Sequence, residues 1–282
     1  MTKLARDQLG RFGVWRGGGQ VTPALAGRLE QLGFGTLWLG GSPSGDLLQV
    51  EELLDATSAL TLATGIVNIW QDEAREVAAS FARLESRHPG RFLLGVGAGH
   101  REATQRYAKP YAAITNYVGV LLSEGVPAAS LVVAALGPKM LRLAAERTAG
   151  AHPYLVTPEY TRQARAILGA APLLAPEQKA VLDTDQERAR ALGRDRVRTP
   201  YLGLINYTSN LRRLGWSEQD LSDGGSDALI DALVAHGSAG QVAARLTEHL
   251  TAGADHVCVQ LLTAPGDDPL DGYQQLAKAL AL

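Results

Sequence analysis

The chain has one cysteine, Cys258, so no disulfide can form within it, and no cysteine- or histidine-based zinc spacing is present. Cys258 sits in the apolar run His256-Val-Cys-Val-Gln-Leu-Leu262 and reads as a small buried hydrophobe. An excess of either charge is also missing. Lys and Arg total 27 against 29 Asp and Glu, a formal net charge of −2, which excludes the basic footprint of a nucleic-acid binder. Nor is there an uninterrupted apolar run long enough for a membrane span. The longest, Tyr117 to Leu136, is broken by Ser123-Glu-Gly and Pro127 and reads as helix end, turn and strand. Met1-Thr-Lys-Leu-Ala-Arg-Asp lacks the apolar core of a secretory signal, so a cytoplasmic location is expected. The six histidines do not cluster, and no paired carboxylates or Ser-His-Asp arrangement can be read. Metal chemistry and self-sufficient hydrolysis are therefore not indicated.

What is present is a rhythm. Hydrophobic residues make up 46% and charged residues 20% of 282, which suits one large α/β domain over residues 1–282. An amphipathic helix, a glycine stop and a short apolar strand recur as Leu25–Leu32, Gly33, Thr36–Leu39 and as Val77–Ser86, Gly90, Phe92–Val96. They return as Met140–Thr148, Gly150, His152–Val156 and as Val242–Thr251, Gly253, His256–Leu262. Glycine is the usual residue just past a helix end, and continuous apolar strands imply a sheet covered by helices. Strands at Arg11–Trp15, Leu62–Asn68, Leu131–Leu136 and Lys179–Asp183 complete a set of about eight, the number of a (β/α)₈ barrel. A doubly wound dinucleotide fold is the rival. Its fingerprint needs a third glycine where, counting from Gly95, this chain has His100. Thr199 to Leu233 departs from the rhythm and reads as an expanded helical segment after the seventh strand. Tyr201, Asn206 and Tyr207 stand near its start, and Ser217-Glu-Gln-Asp is a helix-start signal.

In a parallel barrel, functional groups gather at the carboxyl ends of strands. The second strand ends in Gly40-Gly41-Ser42, small and polar, and the third runs through Gly65, Ile66 and Asn68 to Trp70. After the fourth, Gly95, Gly97 and Gly99 stand at alternate positions, leaving room for a flat or bulky group against the backbone, with His100 following. The fifth runs into Gly137-Pro138-Lys139, where a helix N-terminus and a lysine together favour a phosphate. His100 is the best proton donor or acceptor. Glu102 is next, although an acid at a helix start is its simpler role. Glycine-lined space, a phosphate cradle and one imidazole suit a bound redox cofactor that carries the difficult chemistry.

At these residues the sequence resembles the bacterial-luciferase-like flavin and deazaflavin oxidoreductases. The resemblance rests on Leu62-Ala-Thr-Gly-Ile-Val-Asn-Ile-Trp70, on His88-Pro-Gly-Arg-Phe-Leu-Leu-Gly-Val-Gly-Ala-Gly-His100 and on Leu136-Gly-Pro-Lys-Met140. Gly150-Ala-His-Pro-Tyr-Leu-Val156 and Gly253-Ala-Asp-His-Val257 add to it, and it is nearest an actinobacterial subgroup of coenzyme F420-dependent oxidoreductases. It implies a (β/α)₈ barrel with the ring at the carboxyl end of the strands and a non-prolyl cis peptide, which would fall at Gly65–Ile66. It also implies a cofactor phosphate near Gly137, Pro138 and Lys139. His100 falls where deazaflavin relatives that oxidise sugar phosphates carry a glutamate. Many relatives carry Asp-His at the end of the second strand, where this chain has Gly41-Ser42, so the substrate class does not carry over.

The resulting expectation is hydride transfer between F420 and a small organic substrate. His100 would handle the proton, and Gly40, Gly41, Ser42, Gly65, Ile66, Asn68, Gly95, Gly97, Gly99, Gly137, Pro138 and Lys139 would hold the cofactor. An FMN-dependent monooxygenase is the alternative, and a barrel that has lost catalysis a further one. The family resemblance implies a homodimer. Trp15, Trp70, Tyr107 and Tyr207 are the aromatics whose place relative to the pocket the sequence leaves open.

Overall fold

Strands in which every residue is apolar need cover on both faces, and a closed parallel barrel inside a ring of helices supplies it. The computed structural model describes residues 6–100, 109–264 and 266–282, and it has this architecture. The strands are β1 (Phe12–Gly17), β2 (Thr36–Gly40), β3 (Thr61–Gly65), β4 (Val67–Asn68), β5 (Phe92–Gly97) and β6 (Leu131–Val133). They continue as β7 (Gly150–Ala151), β8 (Leu173–Leu174), β9 (Glu177–Val181), β10 (Val234–His236) and β11 (Val257–Leu261). All pairings are parallel. The order is β10-β9-β11-β1-β2-β3-β5-β6-β7-β8, with β4 on β5. Only Ala175 and Pro176 separate β8 from β9. There the Ala175 and Glu177 N–H groups donate to Ala151 and Pro153, while Cys258 N–H donates to Pro176. These bonds join the two ends of the path and make β8/β9 the seventh barrel strand and β11 the eighth.

The helices are α1 (Pro23–Gln31), α2 (Leu48–Asp55), α3 (Ala74–Arg87), α4 (Pro110–Ser123), α5 (Pro138–Arg147) and α6 (Pro158–Leu168). The rest are α7 (Gln186–Arg198), α8 (Ile205–Arg213), α9 (Glu218–Leu221), α10 (Asp227–Leu233), α11 (Ala239–Thr251) and α12 (Leu270–Leu280). Their starts follow the sequence. Thr22 and Thr157 cap α1 and α6, each followed by proline, and Ser217 and Ser238 form capping boxes with Asp220 and Gln241.

Strand alternation sorts the core. Trp38, Ala63, Leu93, Val132 and Cys258 fill the barrel, while their neighbours Leu37, Leu62, Leu94, Val133 and Val257 pack outward against helices. A further cluster, including Val197, Leu204, Tyr207, Leu211, Leu229 and Ile230, belongs to the expanded segment α7–α10.

Four strand expectations need correction. Leu62–Asn68 is two strands, and the fifth strand ends at Val133 instead of Leu136. The sixth lies at Gly150–Ala151 before the expected His152, because the chain turns away at Leu155, where φ is 55°. The seventh starts at Glu177. Glu177, Gln178 and Lys179 disguise it because charged and amide side chains are seldom buried, here Glu177 and Lys179 inside the barrel and Gln178 against the outer helices. The strand β10, on β9, had no sequence signal.

Candidate active site

The site begins as a fault in the ladder. β3 pairs with β5 at Ala63↔Leu93, and pairing resumes at Val67↔Val96 on β4. From 63 to 67 is four steps against three from 93 to 96, so one extra residue is present: a β-bulge. The Gly65–Ile66 peptide within it is cis, as the resemblance implied. Thr64 replaces the interrupted ladder. Its hydroxyl donates to Gly95 O and accepts from Gly95 N–H, both at 2.8 Å.

The glycine series after the fourth strand therefore has a different purpose from the one its sequence suggests. A Cβ on Gly95 would lie 2.0 Å from Thr64 O, and one on Gly97 would lie 2.9 Å from Ile66 Cγ1. These glycines make room for the bulge of the neighbouring strand, and the bulge in turn presents Ile66 to a cavity. Gly40 likewise leaves no open space, because its Cβ would fall 1.8 Å from Trp15 Cζ2, inside the indole.

The cavity, about 430 Å³, lies at the carboxyl ends of the strands. Gly65, Ile66 and Asn68 form one wall, Gly41 and Ser42 another, and Leu136, Gly137 and Met140 a third. Gly99 and His100 border it, and the expanded segment contributes Tyr201, Asn206 and Tyr207. Trp15, His152 and Tyr154 reach it from the barrel. A Cβ on Gly41 or Gly137 would meet nothing within 4 Å, so both leave open rim.

Its chemistry is aromatic over a buried polar network. The His100 ring lies 5.6 Å from Tyr207 and 6.5 Å from Tyr201, centroid to centroid. The Tyr201 hydroxyl donates to Tyr154 at 2.9 Å, and Tyr154 donates to Gln260 Oε1 at 2.8 Å. That oxygen also accepts from Lys179 Nζ at 3.1 Å, and Lys179 donates to Glu177 at the same distance. The ammonium stands 3.9 Å from the centre of the Tyr154 ring. Burial pushes the tyrosine hydroxyls up, Tyr201 to about 12, so they remain protonated donors at neutral pH.

Beneath the bulge, His152 stacks on Trp38 at 4.1 Å and points Nδ1 at Ala175 O, 2.8 Å away. A carbonyl only accepts, so Nδ1 holds the proton and Nε2 is a lone-pair acceptor. Burial pushes this imidazole down to about 4. Among the described residues, His152 Nε2, Trp15 Nε1 and Asn206 Oδ1 are buried without a hydrogen-bond partner. The first two lie 3.0 and 2.7 Å from the point where Gly65 would carry a Cβ.

Of the residues singled out by sequence, Gly41, Ser42, Gly65, Ile66, Asn68, Gly99, His100 and Gly137 line the cavity. Gly40, Gly95 and Gly97 are taken up by packing. Pro138 and the exposed Lys139 begin α5 outside the cavity lining. Glu102 and Tyr107 lie outside the described residues. Trp15 and Tyr207 face the cavity, whereas Trp70 ties its indole N–H to Ala98 O at 2.8 Å. His152, Tyr154 and Met140 escaped the sequence reading. The amide and aromatics at the start of the expanded segment were its only pointer to the Tyr201 side. Among the described residues no group of three His, Cys, Asp or Glu can hold a metal, and no helix is long and apolar enough to cross a membrane.

Residues 15–123 match the family model described as luciferase-like monooxygenase. The fold agrees with that of an F420-dependent secondary alcohol dehydrogenase solved with an F420–acetone adduct, at TM-score 0.74 and 16% identity, covering 99% of each chain. A coenzyme F420-dependent tetrahydromethanopterin reductase from Methanopyrus kandleri gives 0.70 and 16%, covering 96% of this chain and 98% of that one. The FMN-bound oxygenating constituent of 3,6-diketocamphane monooxygenase, a type II Baeyer–Villiger enzyme from Pseudomonas putida, gives 0.64 and 14%, covering 95% and 96%. No curated protein matches the sequence. The chain shares the fold of these proteins, and residues 15–123 are similar to the luciferase-like monooxygenase family.

Proposed function

We propose that this protein is a coenzyme F420-dependent oxidoreductase that moves a hydride between the deazaflavin and a small organic substrate. The observation that carries this reading is the bulge at Gly65–Ile66. It presents a single aliphatic side chain to a cavity whose rim is cleared at Gly41 and Gly137. A tricyclic ring needs such a flat, apolar support, and its imide edge needs both a donor and an acceptor. The unpartnered Trp15 Nε1–H and His152 Nε2 offer that pair next to the bulge. The residues present therefore fit the group. When bound, it supplies the carbon that accepts or gives the hydride.

Ile66 would support the ring, and Gly41, Ser42, Asn68 and Gly99 would shape its slot. The α5 N-terminus has no side-chain cap, and Pro138 brings no N–H, so the Lys139 and Met140 amides are left for a phosphate. His100 would give or take the accompanying proton, with Tyr201 and Tyr207 flanking its ring and excluding water.

Fluorescence titration with F420 tests this on the wild type and on Gly137→Phe, which adds bulk where nothing stands within 4 Å. The variant is expected to unfold at the wild-type temperature and to lose roughly tenfold or more in affinity. Unchanged affinity would move the cofactor out of this cavity. His100→Ala should keep F420 affinity and lose turnover with a substrate found by screening; full turnover would remove the imidazole from the chemistry.

A further inference from the structure

A second cavity, about 390 Å³, opens at the carboxyl ends of β1 and β11, and Trp15 and Gly41 line both it and the first. Arg16 and Arg196 reach into it from the end of β1 and from α7. On α7, Arg188, Arg190, Arg194 and Arg198 each pair with an aspartate. Arg196 pairs with none among the described residues, and neither does Arg16. Among the described residues Arg16 makes two long hydrogen bonds, 3.5 Å to the Tyr273 hydroxyl and 3.4 Å to Gln20 O. Asp267 also lines the cavity, one carboxylate against two guanidiniums, so the described lining keeps a net positive charge. A Cβ on Gly17 or Gly19 would meet nothing within 4 Å, which leaves backbone open beside Arg16.

We propose that this second cavity is an anion subsite that holds the carboxylate or phosphate of the substrate while its reacting carbon lies in the first cavity. The inference rests on the oxidoreductase reading for the word substrate, but not for the binding of an anion. Two guanidiniums without carboxylate partners are suited to a carboxylate or phosphate, which accepts paired N–H donors from a planar fork. The cofactor's own phosphate is a poor occupant. The Gly137–Lys139 cradle follows β6, and three barrel strands separate β6 from β1 in either direction round the ring. The substrate class is thus a small organic anion entering from the β1–β11 side.

Calorimetric titration of the full chain with inorganic phosphate and with propionate tests this, with propionamide as the uncharged control. One or both anions should bind saturably and propionamide should not; the stronger anion identifies the headgroup. Arg16→Gln/Arg196→Gln should weaken that binding by roughly tenfold or more and leave F420 affinity unchanged. Arg196→Gln alone, at an exposed helix position that leaves the fold intact, should show part of the loss. No saturable anion binding, binding that ignores the arginines, or a parallel loss of F420 affinity would overturn the proposal. Arginine-dependent anion binding by protein that takes up no F420 upholds the subsite and removes the cofactor reading.

Discussion

Lowering the pH from 6.5 to 4.5 is expected to destabilise the fold steeply, because three buried histidines are folded as neutral rings. Burial is the main cause in each, pushing His152 and His256 down to about 4 and His249 down to about 3. Every one has its proton placed by a partner. His256 Nε2 accepts from Trp38, so Nδ1 donates to Gly10 O at 2.8 Å. His249 Nε2 faces Gln178 Oε1, whose amide nitrogen is already spent on Lys179 O and Leu233 O. Burial outweighs the nearby Asp255 carboxylate, which favours a second proton at His256, while His256 opposes one at His152 and Arg245 opposes one at His249.

The unfolded chain takes up these protons near pH 6.5 and the folded chain only near 4 or below, so stability is full above 6.5 and is lost as pH falls toward 4. Each histidine contributes a loss on the order of 3 kcal/mol over that window, against a typical total of about 5–15 kcal/mol. Urea midpoints measured from pH 7 to 4.5 should fall throughout, and His249→Gln should flatten the slope by one proton. A midpoint that stays level across this range would mean the rings are not held neutral.

The second large effect concerns the ion pair inside the barrel. Lys179→Met is expected to cost about 3–5 kcal/mol, because it strands a buried carboxylate. Glu177 and Lys179 are at most 1% exposed and lie 3.1 Å apart. Burial opposes both charges, raising Glu177 and lowering Lys179, while each partner resists the shift of the other. Without the ammonium, Glu177 keeps, among the described residues, the Leu155 N–H at 3.0 Å, and Tyr154 loses the cation beside its ring. Glu177→Gln in the same chain should return most of the loss, since a neutral amide removes the stranded charge. Denaturant unfolding of the single and double variants measures this. A loss below about 1 kcal/mol in the single variant would show that the pair is not buried in solution.

The barrel was legible because its outer arithmetic is simple: glycine stops after amphipathic helices, then short apolar strands. The seventh strand was blurred for the reason that makes the site distinctive, since Glu177-Gln-Lys179 puts charge where strands usually carry aliphatic residues. At the site, sequence found which strands carry the candidate residues, although the fifth and sixth end earlier than expected, but not the direction of influence. Gly95 and Gly97 read as a cofactor face and are the seat of a neighbouring bulge. Gly40 read as empty and is covered by Trp15, a residue 25 positions earlier. His152 and Tyr154 could not be seen as site residues, because their exposure to the cavity depends on where the sixth strand stops. Spacing within a segment is visible in sequence, whereas which neighbour fills a gap is set by pairing across the sheet.

Which ring the barrel binds decides between hydride transfer and oxygen-dependent chemistry. Equilibrium titration of the purified chain with F420 and with FMN, side by side, tests it most directly. Saturable F420 binding at least tenfold tighter than that of FMN is expected. Preference for FMN would contradict it and make oxygen-dependent monooxygenation the better reading, and binding of neither would leave a barrel without redox chemistry.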